Sequence, residues 1–288
     1  MTSRDVAPPS GPPGQPGTGT DPTTGGPATR YGRWDVARAV AVAVTALAQV
    51  LGSPLGAALP GASDVGAVSD RWQTVITPAG STFAVWGVIF AGCLAYAVYQ
   101  ALPAQLARDV HRRAGWPLAV AFAANTAFEL VFPQDGTAVL VGNGLVVLSV
   151  VAAGVAVARL QVPPTYGVAR VLPGVVAPLL LGWVTFATVA NVALSGVLLG
   201  APDSGGLARA AGIVALVAAA AVVLDVGLRL RGGTTAFVLP AAWGAYGVTL
   251  ADPPFAVAVA AWVALAVMLL AVPVQLYRTR DVGRVLLS

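Results

Sequence analysis

The chain has 288 residues, of which 57% are hydrophobic and only 10% are charged, and its mean hydropathy is +0.79. Soluble domains carry about 25% charged residues, so this chain has too few to cover a surface that faces water. Since one crossing needs about 20 apolar residues, the length allows many crossings of a bilayer. The composition therefore predicts a multi-pass membrane protein. It excludes a soluble enzyme, a disulfide scaffold and a nucleic-acid binder.

The first segment, residues 1–33, is rich in Pro, Gly, Thr and Ser. Such a segment buries too little apolar surface to offset its ordering entropy, so it is predicted to be a disordered tail. A polyproline docking site within it is the alternative. The segment lacks the charged-then-apolar layout of a signal peptide, and we expect no cleavage there.

Apolar segments alternate with short polar breaks from Val36 onward, which is typical of membrane-spanning helices. We predict eight spans, at about residues 36–58, 79–101, 116–132, 138–160, 174–199, 208–230, 234–250 and 254–277. The third and seventh lie near the lower length limit for spanning.

The arginines test this count independently. With eight spans, 14 of the 16 arginines fall on one side of the membrane, and only Arg71 and Arg209 fall on the other. The positive-inside rule then places both termini in the cytoplasm, with the protein in the cell (inner or plasma) membrane. The net charge of +4 is thus explained by topology, and no nucleic-acid partner is needed.

Several catalytic classes are missing from the sequence. All 16 basic residues are arginine, so a phosphate loop with its lysine and a Schiff-base lysine are excluded. A single cysteine, Cys93, and a single histidine, His111, exclude multi-thiolate and multi-histidine metal sites. His111 is predicted to lie in a solvated cytoplasmic loop, and Cys93 to pack as a small apolar side chain. We expect no enzyme activity, no metal and no cofactor.

Polar residues inside predicted spans are the default functional candidates. Glu129, the only glutamate, is either a site residue or a carboxylate that reaches the interface. Asp225 is expected to pair with Arg229 one turn later. Gln49 and Asn143 are expected to join helices by hydrogen bonds.

Span five contains the most specific motif. Its residues Trp183, Phe186, Ala187, Thr188 and Asn191 fill the pattern W-x-x-F-A-T-x-x-N. This pattern resembles the fifth helix of the TspO/MBR family (the translocator protein, or tryptophan-rich sensory protein). Without the resemblance, an aromatic packing seam between helices is the favoured interpretation of this helix face.

Two further spans resemble the same family. Span two reads PAGSTFAVWGVIFAGCLAYAVY and contains Phe83 and Trp86. Span three places Asn125, Phe128 and Phe132 in the pattern N-x-x-W-x-x-x-F, with phenylalanine at the tryptophan position. The resemblance covers about residues 36–200.

The resemblance implies an all-α integral membrane fold, a five-helix bundle whose inner pocket is capped by the loop between helices one and two, at about residues 61–77. It also implies porphyrin or related tetrapyrrole ligands, and sterols in eukaryotic members. The implied ligand-binding residues are Phe83, Trp86, Asn125, Phe128, Trp183, Phe186, Ala187 and Asn191, with Arg71 and Trp72 in the cap. Arg71 is expected to pair with porphyrin carboxylates.

Family members typically end after five helices. We therefore predict a tail at 1–33, a five-helix domain at 34–202 and a three-helix C-terminal extension at 203–288. The expected function is binding of a planar hydrophobic ligand for sensing, regulation or trafficking, with the lipid bilayer as partner. A secondary transporter of a small hydrophobic solute is the alternative, and a homodimer and a porphyrin breakdown activity are left open.

Overall fold

The computed structural model describes residues 31–63, 65–161 and 168–286, and residues 1–30 of the predicted tail lie outside these ranges. Within these ranges the chain is all-helical, as predicted. The long helices are α1 (Arg33–Ala57), α3 (Val85–Ala101), α5 (Asp109–Val131), α6 (Thr137–Leu160), α7 (Val168–Leu198), α8 (Gly205–Arg229), α9 (Thr234–Thr249) and α10 (Phe255–Leu269). The shorter helices are α2 (Val65–Arg71), α4 (Pro103–Leu106), α11 (Ala271–Thr279) and α12 (Val282–Leu286).

Each of the eight predicted spans coincides with a helix. Seven helical segments in the described part of the chain are long and apolar enough to cross a membrane. The remaining helix, α9, has 16 residues. At a rise of about 1.5 Å per residue it extends about 24 Å, less than the hydrocarbon thickness of about 30 Å. The chain is thus a multi-pass membrane protein, and the eighth crossing stays a prediction.

The C-terminal helices pack against the first five. Residues from Tyr31 onward form one compact unit. Gly182 on α7 lies against the Phe237 backbone of α9, and Gly244 on α9 lies against the Phe186 ring, so neither position has room for a Cβ atom. Glycine at such contacts lets two helix backbones approach closely, which is how membrane helices associate. Helix α9 therefore supports the helix that contains the span-five motif.

The loop between α1 and α3 lies across one end of the bundle. It contains α2 and a 3-10 turn at Gly80–Ala84. The Ala79 N–H donates to the Gly247 carbonyl at 3.0 Å, and the Trp243 indole donates to the Thr82 carbonyl at 2.9 Å. The loop is thus attached to α9 at its C-terminal side, immediately before α3 begins.

One local expectation was wrong. His111 is not in a solvated loop, because α5 begins at Asp109 and buries the imidazole completely beside the rings of Tyr96 and Tyr99. Pro173 and Pro178 lie inside α7, which begins at Val168. Proline inside a membrane helix is tolerated where neighbouring helices surround the freed backbone groups.

Polar contacts between helices follow the expected pattern. Asn143 on α6 donates to the Asn191 carbonyl of α7 at 3.1 Å and to the Ser195 hydroxyl. Gln49 on α1 accepts from the Asn125 amide on α5 at 3.4 Å. Cys93 is fully buried in the apolar core, and Asp225 pairs with Arg229 at 2.8 Å.

Candidate functional site

An aromatic cluster lies where α3, α5 and α7 meet beneath the loop. The Trp183 ring is 6.1 Å from Phe83 and 6.0 Å from Trp86, in edge-to-face geometry at both contacts. Trp86 also stacks on Phe90 at 5.0 Å. Edge-to-face pairs at these separations are favourable because the positive ring edge meets the negative face. The cluster therefore has a defined shape.

Two adjoining cavities open onto this cluster. The first, of about 40 Å³, is lined by Ser69, Thr77, Pro78, Phe83, Trp183, Phe186, Ala187, Ala190, Asn191 and Leu194. The second, of about 50 Å³, is lined by Val65, Ser69, Phe83, Trp86, Asn125, Phe128, Phe132, Val146, Trp183, Val184, Ala187 and Asn191. Eight of the ten residues singled out from the sequence thus lie around one space.

The walls of these cavities are mostly apolar, with a few polar groups. Asn125 and Asn191 contribute amides from α5 and α7. Trp183 is only 1% exposed, and its indole N–H has no hydrogen-bond partner among the described residues. A buried donor without a partner is costly, so it is a candidate for pairing with a ligand acceptor. An apolar wall with a few polar groups is the usual form of a small-molecule site.

The cavities are closed as the structure stands. Pockets for ligands of drug size have volumes of about 300–1,000 Å³, whereas these have about 40 and 50 Å³. Ser69 on α2 and the segment Thr77–Pro78 form their roof. A planar ligand therefore needs the loop, and the side chains beneath it, to move outward.

The two remaining predicted residues, Arg71 and Trp72, lie outside both cavities. Arg71 forms an ion pair with Asp135 of the loop between α5 and α6, and its side chain is 52% exposed. The Trp72 indole donates to the same carboxylate at 2.7 Å. These contacts hold the end of α2 on the opposite loop. We call Arg71, Trp72 and Asp135 the cap latch.

Sequence reasoning missed part of the lining. Val65 and Ser69 come from the short helix α2, and Val146 comes from α6; none of them belongs to a motif. Leu194 lies one turn beyond Asn191 and could have been found by continuing the helical period of span five.

Glu129 lies on another face of α5. It is 5% exposed and packs against Gly52 and Gly56 of α1, where a Cβ atom at either glycine would overlap it. These glycines have the spacing G-x-x-x-G, which is a helix-packing motif in membrane proteins. The contact places Glu129 in a helix interface and outside the walls of both cavities.

The fold and the cavity define a multi-pass helical membrane protein with a capped aromatic site inside the bundle. The sequence matches the family model described as TSPO-like protein over residues 36–274. The chain belongs to this family. The match continues past the predicted limit near residue 200 and includes helices α8, α9 and α10. Comparisons with curated proteins and with solved structures gave no match.

Proposed function

We propose that this membrane protein binds a planar hydrophobic ligand, such as a porphyrin, in the capped aromatic site for sensing, regulation or trafficking. The observation that carries the proposal is the convergence of Trp183, Trp86 and Phe83 with two amides beneath a closed loop. We place the protein in the cell membrane with both termini in the cytoplasm. The proposed role is binding without turnover.

The aromatic rings supply flat apolar faces that suit a macrocycle, and the Trp183 N–H and the amides suit its polar edge. Family membership supports the same ligand class. The family's pattern has a tryptophan where this chain has Phe128. The rings of Phe128 and Phe132 lie 4.8 Å apart and close that side of the cavity.

The test is a protoporphyrin IX titration of the full chain in detergent, monitored through the change in the porphyrin absorption band. We expect saturable binding that Trp183→Phe and Asn191→Ala each weaken about tenfold, the effect of losing one good polar contact. The matched control is Trp262→Phe, because Trp262 is 51% exposed on α10 and far along the chain from the site. Absence of saturable binding, or equal weakening in all three variants, would contradict the proposal.

The cap latch makes a further prediction about rates. Asp135→Asn removes the ion pair with Arg71 and keeps a side chain of the same size at this position. We expect protoporphyrin association to become about fivefold faster, since partly exposed ion pairs contribute up to about 1 kcal/mol.

Stopped-flow porphyrin fluorescence measures this rate. Asp70→Asn is the charge-matched control, because Asp70 is an exposed carboxylate on α2 with no ion pair among the described residues. Equal acceleration in both variants would mean that the faster association comes from the loss of a negative charge that repels the anionic ligand. The latch would then have no role.

A further inference from the structure

A second, larger space lies on another face of α7, between that helix and α8. It has about 420 Å³ and is lined almost entirely by apolar side chains. Helix α7 contributes Val189, Val192 and Val197, and α8 contributes Ala211 and Ala215. Val192 is 62% exposed, so the space opens sideways toward the region that lipid occupies. We call it the α7–α8 groove.

The groove has the size of a ligand site without any rearrangement, because pockets for small molecules have about 300–1,000 Å³. The small side chains of α8 leave this volume unfilled. Gly212 lies deeper, where a Cβ atom would lie 3.0 Å from Ile76 of the loop. The loop therefore closes one end of the groove while the side toward lipid stays open.

A polar chamber adjoins the groove at the loop end of the bundle. It has about 500 Å³ and shares Thr74, Val75 and Asp203 with the groove. The turn between the two is fixed by hydrogen bonds, from the Thr74 N–H to the Thr77 hydroxyl at 2.8 Å and from the Ile76 N–H to the Thr74 hydroxyl at 3.2 Å. The two spaces thus adjoin along this shared wall, one of them apolar and the other polar.

Among the described residues, the polar chamber is lined by three exposed carboxylates and by no arginine. Asp70, Asp203 and Asp252 come from three different loops or helix ends. Among the described residues none of the three has an ion pair, and Asp203 accepts a hydrogen bond from Ser204 at 2.8 Å. The arginines nearest along the chain contact other groups: Arg71 pairs with Asp135, and Arg209 donates to the Gly205 carbonyl.

We infer that the α7–α8 groove and its carboxylate chamber bind a single-chain amphiphile with a cationic ammonium head. The chain lies between α7 and α8, and the head lies among the three aspartates. Charge complementarity selects the cation, because an anionic or phosphate-bearing head would meet three like charges. Because there is a single groove beside the chamber, it accommodates one hydrocarbon chain. This site is separate from the capped aromatic site and does not depend on the porphyrin proposal.

Another apolar groove in the described part of the chain shows why the chamber matters. It has about 390 Å³, lies against Leu239, Trp243 and Leu265, and has no charged residue in its wall. Lipid chains fill such a surface without selection of a head group. Of these two grooves, the α7–α8 groove alone adjoins a charged space.

The test uses the full chain in phosphatidylcholine nanodiscs. Two spin-labelled probes share one 18-carbon chain, and one has a trimethylammonium head while the other has a carboxylate head. Electron paramagnetic resonance measures the immobilised fraction of each probe. We expect the ammonium probe to bind about fivefold more tightly than the carboxylate probe, a difference that high salt reduces.

Two sets of variants separate the two halves of the site. Asp203→Asn with Asp252→Asn is expected to abolish the preference for the ammonium head and to leave chain immobilisation in place. Ala211→Phe with Ala215→Phe fills the groove and is expected to reduce binding of both probes. The matched control is Val214→Phe on the same helix, because Val214 is 67% exposed and lies outside the groove wall.

Equal binding of the two probes to the unaltered chain would overturn the proposal, as would a head preference that survives loss of the aspartates. Ala211→Phe alone, at an exposed position, replaces the double variant if the latter does not fold. Protoporphyrin binding in the aspartate variants distinguishes the two proposals. We expect it to be unchanged, so that each proposal can be refuted independently of the other.

Discussion

Gly182→Val is expected to lower the free energy of unfolding by at least about 3 kcal/mol, because overpacking at a helix contact cannot be relieved by a side-chain rotation. A Cβ atom at Gly182 would overlap the Phe237 carbonyl and lie 2.9 Å from the Pro240 ring. The obstacle is backbone, so α7 and α9 must separate. Trp183 follows Gly182 in the chain, and the separation would also displace the aromatic cluster.

Thermal unfolding of the detergent-solubilised chain measures this effect, and we expect an apparent Tm lower by roughly 6–12 °C. The matched control is Gly144→Ala on α6, since a Cβ atom there meets nothing within 4 Å. That change is expected to be neutral or stabilising, because alanine favours helix over glycine by about 1 kcal/mol. If Gly182→Ala were as harmless as Gly144→Ala, the close contact between α7 and α9 would be refuted.

The second large effect concerns Arg38, a guanidinium that is only 1% exposed. It donates to the Leu106 carbonyl at 2.7 Å, to Asp35 at 3.0 Å and to Gln100 at 3.4 Å. It thereby joins α1 to the ends of α3 and α4. Gly115 of α5 leaves space for its aliphatic stem, since a Cβ atom there would lie 2.8 Å from the Arg38 Cγ.

Arg38→Met is expected to lower the free energy of unfolding by about 3 kcal/mol, because it leaves buried acceptors unpaired. Arg112→Met removes the other ion-pair partner of Asp35, at 2.7 Å, but the Arg112 side chain is 39% exposed and water replaces its contacts. For Arg112→Met we expect the free energy of unfolding to fall by about 1 kcal/mol. Urea or thermal unfolding of both variants gives the ranking. Arg33→Met, at an exposed position on the same helix, is the control, and a reversed order of Arg38 and Arg112 would contradict the argument.

Both arginines show a limit of sequence reasoning. The positive-inside rule uses Arg38 and Arg112 as cytoplasmic flanking charges, and that use depends only on their position along the chain. The structure begins α1 at Arg33 and α5 at Asp109, so these charges lie inside helices. Hydropathy cannot show this, because its value is the same for a buried arginine and for an arginine that flanks a span. The two can be told apart only when a partner from another helix is known.

The aromatic site shows the opposite case. Trp183, Phe186, Ala187 and Asn191 share a face because their spacing follows the helical period, so the sequence alone identifies that wall of the cavity. Arg71 could not be placed in this way. Its position depends on Asp135, which is distant in sequence and near in space.

The sequence by itself determined that this chain is an all-helical membrane protein, where its apolar helices lie, and which helix faces contain aromatic and amide groups. These properties depend on composition and on the period of 3.6 residues, both of which are local. Only the tertiary structure decided that the capped site is closed, that α9 supports α7 through Gly182, and that a groove beside α8 adjoins a chamber of carboxylates. Those features arise from contacts between residues far apart in the chain, and no local pattern encodes them.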